Sequence, residues 1–118
     1  MQFVRIRTRH FDFGSFEVLD SLFRKAKGLL RDSEGRQVML RRCSSIHTFC
    51  MRYPIDVAFV KRGGSVVLSE RMVRPGRIVR ARGASFGSER PGSDSPWPAA
   101  NETLTMEETC DREGTCRR

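Results

Sequence analysis

The clearest hydrophobic patterns along the chain are those of β-strands. Residues 3–7, Phe-Val-Arg-Ile-Arg, alternate between apolar and polar side chains, which is typical of a strand with one buried face. Two runs of β-branched residues flank the pair Gly63-Gly64, and such a pair is typical of the turn between two hairpin strands. Shorter apolar runs at 36–42 and 78–82 predict two more strands.

One helix is predicted between the first two strands. Apolar residues recur there at spacings of three and four, which places them along one side of a helix, and Ser15 precedes them as a suitable N-cap. One helix followed by antiparallel strands predicts an α+β fold, in which a small curved antiparallel sheet packs against one main helix. The apolar side of the helix would consist of Phe16, Leu19, Leu22, Phe23, Ala26 and Leu30.

Composition divides the chain at about residue 90. The 118 residues are enough for one domain with a single core. From residue 91 onward Pro, Ser, Thr, Glu and Gly dominate, and few large apolar residues remain to offset the entropy lost on ordering. We therefore predict a single domain over residues 1–90 and a flexible, disordered tail over residues 91–118.

The charge of the chain changes at the same point. Residues 1–90 hold 19 Lys and Arg against 8 Asp and Glu, a net of +11, whereas residues 91–118 hold 3 against 6, a net of −3. A basic domain suits phosphorylated ligands or nucleic acid, although no known basic motif accompanies the charge. No apolar run approaches the roughly 20 residues of a membrane span, so we expect a cytoplasmic protein with no membrane partner.

Residues 43–56 collect most of the reactive side chains. Cys43, His47 and Cys50 are residue types that bind zinc, but the close Cys-x2-Cys pairs of common structural zinc sites are absent. Either cysteine with His47 and Asp56 would supply the nucleophile, base and carboxylate of a hydrolase. We expect no metal or other cofactor, and the sequence leaves open whether the protein is an enzyme.

A structural interpretation of the same residues is also available. Thr48 can hydrogen-bond nearby backbone groups and hold a turn, and Phe49 would fill space in the core. Asp56 begins an apolar strand, where a carboxylate needs partners such as backbone N–H groups, Arg52 or His47. A buried pair of Asp56 with an arginine or histidine, holding the loop in place, is therefore an alternative to a catalytic role.

Arginine is concentrated between residues 71 and 82, where five of twelve positions are Arg. Arg80 and Arg82 would share one face of a strand and could cradle a phosphate or carboxylate, or simply form an exposed basic surface. We predict that the protein binds a small anionic ligand in a pocket near the loop from His47 to Asp56. The alternatives are a hydrolase-like enzyme and a basic module that binds nucleic acid. The predicted ligand-binding residues are His47, Arg52, Asp56, Arg80 and Arg82.

Two strings of the sequence resemble a known family. They are Phe-Arg-Lys-Ala-Lys-Gly-Leu-Leu at 23–30 and the segment from Cys43 to Val67, with its Ser-Ile-His-Thr and Met-Arg-Tyr-Pro-Ile-Asp cores. They resemble the domain of unknown function 192, also called uncharacterised protein family 0127. The resemblance implies a small α+β domain with a curved, barrel-like antiparallel sheet, and it implies no reaction. Gly87 and Ser88 stand where members have apolar strand residues, and glycine weakens a strand.

Overall fold

The computed structural model describes residues 2–20, 36–49 and 51–109, and this part of the chain is built from nine strands without a helix. Seven strands form one sheet, in the order β6-β5-β8-β3-β2-β1-β9, and β4 and β7 form a separate two-stranded ribbon. The strands in chain order are β1 (Gln2–Arg7), β2 (Asp12–Asp20), β3 (Val38–Arg41), β4 (Ser45–His47), β5 (Ile55–Val60), β6 (Val66–Val73), β7 (Ile78–Arg80), β8 (Phe86–Pro91) and β9 (Thr105–Thr109).

The predicted α+β fold is wrong for the described residues. The helix was expected to start after Ser15, but Ser15 and Phe16 lie inside β2, where Phe16 pairs with Val4 of β1. Because β2 has β1 on one side and β3 on the other, strand pairing outweighs the helical spacing of two apolar residues, Phe16 and Leu19. The other positions of the expected helix, Leu22, Phe23, Ala26 and Leu30, lie outside the described residues.

The expected barrel-like, antiparallel sheet is also wrong. The sheet is open, with β6 and β9 at its two edges, and it is mixed because β2 and β3 run parallel. Parallel neighbours need a long connection, and 17 residues of sequence separate the end of β2 from the start of β3. Strands β1 and β3 are confirmed where the apolar pattern predicted them.

The hairpin predicted around Gly63-Gly64 is confirmed. Strands β5 and β6 pair antiparallel, and residues 61–65 connect them. Gly64 has a φ of +99°, and a Cβ atom there would lie 2.5 Å from the carbonyl oxygen of Leu104. Both the backbone conformation and the lack of space therefore require glycine at this position.

Both faces of strand β5 are buried. Ala58 and Val60 pack into a cluster with Trp97 and Leu104, whereas Val57 and Phe59 pack into a second cluster on the opposite face. The β4–β7 ribbon covers the second cluster with the side chains of Cys43, Ile46, Val79 and Ala81. Strand β5 therefore contributes to both apolar clusters of the described residues, one on each face of the sheet.

Residues 91–109 pack onto the sheet, whereas the composition predicted a solvated tail from residue 91. Trp97 is only 7% exposed and Leu104 only 4% exposed, and both belong to the first apolar cluster. The ring of Trp97 meets that of Phe13 edge to face, with 6.2 Å between ring centroids. Strand β9 pairs with β1 at the sheet edge, and residues 110–118 lie outside the described residues.

Strand β8 forms although it contains glycine, and it pairs with both β3 and β5. A Cβ atom on Gly87 would lie 2.9 Å from Cδ1 of Ile46, 3.2 Å from Sγ of Cys43 and 3.2 Å from the ring of Phe59. The ribbon packs against the sheet in the space that a side chain at Gly87 would occupy. Glycine at this position therefore serves close packing between layers.

The substitution Gly87→Ala is expected to lower the free energy of unfolding by about 1–3 kcal/mol, because the added methyl group overpacks three buried side chains. Gly63→Ala is the matched control, since its Cβ atom would meet no atom within 4 Å, and its effect should stay within about 0.5 kcal/mol. Chemical denaturation followed by tryptophan fluorescence measures both. Equal stabilities for the two variants would contradict this account of Gly87.

An ion pair closes the β1–β2 hairpin. Nε of Arg5 donates a hydrogen bond to Oδ2 of Asp12 at 2.8 Å, and Oδ1 of Asp12 accepts one from the amide of Gly14 at 2.9 Å. The hydrogen bond from Arg5 is the main reason that the pKa of Asp12 lies below its ordinary value of 3.8.

This lowered pKa predicts a pH-dependent contribution of Asp12 to stability. A carboxylate whose pKa is lower in the folded state stabilises the fold above its unfolded pKa, and this stabilisation is lost as the pH falls through the folded value. Asp12→Asn should therefore be less stable than the wild type at pH 7, with the difference disappearing in acid below the ordinary value of 3.8. Urea denaturation across the acidic range tests this. A difference that stays constant with pH would refute it.

Candidate functional site

The β4–β7 ribbon has a buried side and an exposed side. Ile46 and Val79 are opposite each other and buried against the sheet. His47 lies opposite Ile78, Ser45 lies opposite Arg80, and these four side chains are exposed. Because directly opposite residues of an antiparallel pair share one face, all four belong to the side of the ribbon that faces solvent.

Thr48 fixes the end of this ribbon. Its side chain is fully buried, and Oγ1 donates to the carbonyl of Arg74 at 2.7 Å and accepts from the amide of Arg77 at 2.8 Å. The Thr48 amide donates to the Arg77 carbonyl at 2.8 Å, and its carbonyl accepts from the amide of Gly76 at 3.0 Å. Thr48 was expected to bond nearby backbone groups, but its side chain instead bonds the distant residues Arg74 and Arg77 and holds the turn that contains them.

Phe49 is exposed, so the expectation that it fills the core is wrong. Its ring is stacked on that of His47, with 5.3 Å between the ring centroids and 25° between the ring planes. Phe49 is 44% exposed, and the neighbouring Ile78 is 50% exposed. Thr48, between the two rings in sequence, points inward and leaves both rings at the surface.

Four arginines before, on and after β7 are exposed: Arg74, Arg77, Arg80 and Arg82. Among the described residues, no carboxylate forms an ion pair with any of them. We call these arginines together with Ser45, His47, Phe49 and Ile78 the outer surface.

A cleft of about 560 Å³ opens beside the outer surface, between the end of β6 and the start of β7. Arg74, Arg77 and Ile78 belong both to the cleft and to the outer surface. Glu70 also lines the cleft. The cleft is therefore positively charged mainly on the side of Arg74 and Arg77. The full lining is Glu70, Arg71, Met72, Val73, Arg74, Arg77, Ile78 and Val79.

Asp56 does not belong to this surface. Its side chain is completely buried, and its Oδ2 accepts a hydrogen bond from Nε of Arg90 at 2.9 Å. Asp56 and Arg90 are directly opposite on β5 and β8, and the Arg90 side chain is 7% exposed. The alternative of a buried Asp–Arg pair is thus confirmed in kind, but the arginine is Arg90 rather than Arg52.

The second oxygen of Asp56 holds a bulge in β6. The residues opposite Ile55 and Val57 are Val73 and Glu70, so two residues of β6, Arg71 and Met72, face Asp56 alone. Oδ1 of Asp56 accepts from the amide of Met72 at 2.9 Å, and Met72 has a φ of 53°, which is unusual for a residue with a side chain. The carboxylate thus fixes the backbone at the rim of the cleft.

Arg90 connects the pair to the segment after β8. Its Nη2 donates to the carbonyl of Ser95 at 2.7 Å, and its guanidinium lies 4.5 Å from the ring centroid of Trp97. Arg71 donates to the same Ser95 carbonyl at 2.7 Å and to that of Ser93 at 2.6 Å. Arginines on two strands therefore hold one loop against the sheet.

The other predicted site residues are separated. Cys43 is 3% exposed in the apolar cluster beneath the ribbon, whereas His47 is exposed on the opposite side, and Cys50 lies outside the described residues. No group of three or more potential metal ligands occurs among the residues that the structure describes. Arg52 is exposed between β4 and β5, and of the predicted residues only His47, Arg80 and Arg82 lie on the outer surface.

Comparison with known proteins gives no assignment. No protein-family model matches the chain, and neither a curated protein nor a solved structure is significantly similar to it. The resemblance to the domain of unknown function 192 therefore stays a prediction. Among the described residues there is no helix of the length and apolar character needed to cross a membrane.

Asp56→Asn is expected to lower the free energy of unfolding by about 3–5 kcal/mol, because it leaves the charge of Arg90 buried without its counterion. Adding Arg90→Met should recover part of this loss, since the second substitution removes the unpaired charge. Asp94→Asn, at an exposed aspartate, is the control and should change stability by less than about 0.5 kcal/mol. Thermal and urea unfolding of the four proteins tests this, and an unchanged Asp56→Asn variant would rule out the structural role.

Proposed function

We propose that this protein is a binding protein, and that its outer surface holds a small anionic ligand through phosphate or carboxylate groups. The observation that carries the proposal is the set of four exposed arginines, Arg74, Arg77, Arg80 and Arg82, without a carboxylate partner among the described residues. Guanidinium groups form paired, charge-assisted hydrogen bonds with such anions.

The backbone that carries two of these arginines is fixed before any ligand arrives. Thr48 hydrogen-bonds the main chain of Arg74 and Arg77, and leaves their guanidinium groups available. Restricting the backbone in advance reduces the entropy lost when the arginines close on an anion. This supports a binding surface over a merely solvated basic strand.

Asp56 has an indirect role in this proposal. It cannot contact a ligand, because it is fully buried and both of its oxygens accept hydrogen bonds within the protein. It instead maintains the β6 bulge, which precedes Arg74 by two residues. Of the residues predicted to bind the ligand, His47, Arg80 and Arg82 remain in the proposed site. Arg74 and Arg77 are added to it.

Binding is favoured over the hydrolase alternative. A thiol–imidazole–carboxylate site requires the three groups in contact, but Asp56 is bonded to Arg90, and Cys43 lies beneath the ribbon that exposes His47. Among the described residues, which do not include Cys50, this placement supplies no activated nucleophile. A cytoplasmic location, which the composition predicted, remains part of the proposal.

The test uses tripolyphosphate as the anion and isothermal titration calorimetry at low salt. The wild type should bind, and Arg77→Gln should weaken binding by at least about tenfold, because one charge-assisted hydrogen bond contributes about 1.5–3 kcal/mol. The hydrogen bonds of Arg77 to Thr48 use its backbone, so the fold should persist.

Arg9→Gln is the control for a general loss of charge, because Arg9 is also exposed but lies in the turn after β1. It should bind tripolyphosphate within about twofold of the wild type at moderate salt, where distant charges are screened. Equal losses in the two variants would reduce the proposal to a net-charge effect. Absence of binding by the wild type would overturn it.

A further inference from the structure

The outer surface combines two features that a simple anion does not need. It exposes the stacked rings of His47 and Phe49, and it also includes four exposed arginines. The described part of the chain has another large exposed apolar residue on the same ribbon, Ile78, which lies opposite His47. An exposed pair of stacked rings offers stacking area to a planar ligand.

We propose that the ligand of the outer surface is single-stranded nucleic acid. Bases stack on the Phe49 and His47 rings, and successive phosphates are held by the arginines that follow along β7. The inference rests on the proposed function for the anion-binding role of the same arginines, and it extends the ligand from a small anion to a chain of phosphates.

The spacing of the arginines favours a chain of phosphates over one compact anion. Arg77 and Arg80 lie on either side of the two residues that begin β7, and a strand rises about 3.3 Å per residue, so their Cα atoms are roughly 10 Å apart. Arg82 lies two residues after Arg80, in the turn beyond the end of β7. A single strand presents one phosphate per nucleotide, and it can therefore contact these arginines in turn.

The exposed rings favour a single strand over a duplex. Base faces are covered by their neighbours in a duplex, whereas the unstacked bases of a single strand are available to aromatic side chains. Each base that stacks on an aromatic residue contributes about 1–3 kcal/mol to binding. The rings cannot withdraw into the protein, because the buried Thr48 anchors the backbone between them.

The test measures binding of a fluorescently labelled ten-nucleotide single strand by anisotropy, at low and moderate salt. Phe49→Leu keeps an apolar residue but removes the ring, and it should weaken single-strand binding on the order of tenfold. The same variant should bind tripolyphosphate as the wild type does. Phe49→Trp should retain or strengthen single-strand binding, because a larger ring still stacks.

Phe11→Leu is the matched control, since Phe11 is 50% exposed in the turn between β1 and β2, away from the ribbon. It should bind the single strand like the wild type. Equal effects of Phe11→Leu and Phe49→Leu, or none from Phe49→Leu, would overturn the inference.

Further ligands separate the possible failures. A duplex of the same sequence should bind more weakly than the single strand, and vesicles containing one-third phosphatidylserine should not compete for the surface. Preferential binding to the vesicles, or tripolyphosphate binding without single-strand binding, would overturn this inference and leave the proposed function standing. Absence of binding to every anion would overturn both.

Discussion

The buried ion pair between Asp56 and Arg90 is the interaction on which the architecture depends. It joins the neighbouring strands β5 and β8 at a position where both side chains are nearly inaccessible to solvent. Two charges can remain in such a place only if their hydrogen-bonding groups are also satisfied. Met72, Ser95 and the ring of Trp97 supply the remaining partners, so a single pair fixes the β6 bulge and the segment after β8.

The same pair connects the core to the surface. Because the carboxylate of Asp56 holds Met72 in a left-handed conformation, β6 leaves the sheet at a defined point just before Arg74. Thr48 then binds the backbone of Arg74 and Arg77 from the other side. Two buried polar groups thus position the arginines, although neither contacts the solvent side of the cleft. Asp56 and Thr48, which fix the shape of the surface, are therefore different residues from the arginines that would bind a ligand there.

The sequence predicted the elements that local chemistry determines. Alternation identified β1, and the Gly63-Gly64 pair identified the β5–β6 hairpin, because both depend on neighbouring residues. The prediction of a helix is wrong because pairing with β1 on one side and β3 on the other determines the conformation of β2. His47 and Arg80, both predicted to bind the ligand, lie on the two short paired strands β4 and β7, although not opposite each other. Arg90 was missed: Asp56 signalled a need for a partner, but 34 positions separate the two, and only the pairing of β5 with β8 selects it.

Repulsion among the arginines of the outer surface would link ligand binding to the stability of the fold. Four exposed arginines between residues 74 and 82 repel each other, and no carboxylate of the described residues forms an ion pair with them. The repulsion is tolerable because the guanidinium groups are exposed, where water and salt screen them. An anion that bridges the arginines removes this repulsion and binds only the folded chain. Occupancy of the surface must therefore raise the stability of the ribbon, through the same contacts that give the ligand its affinity.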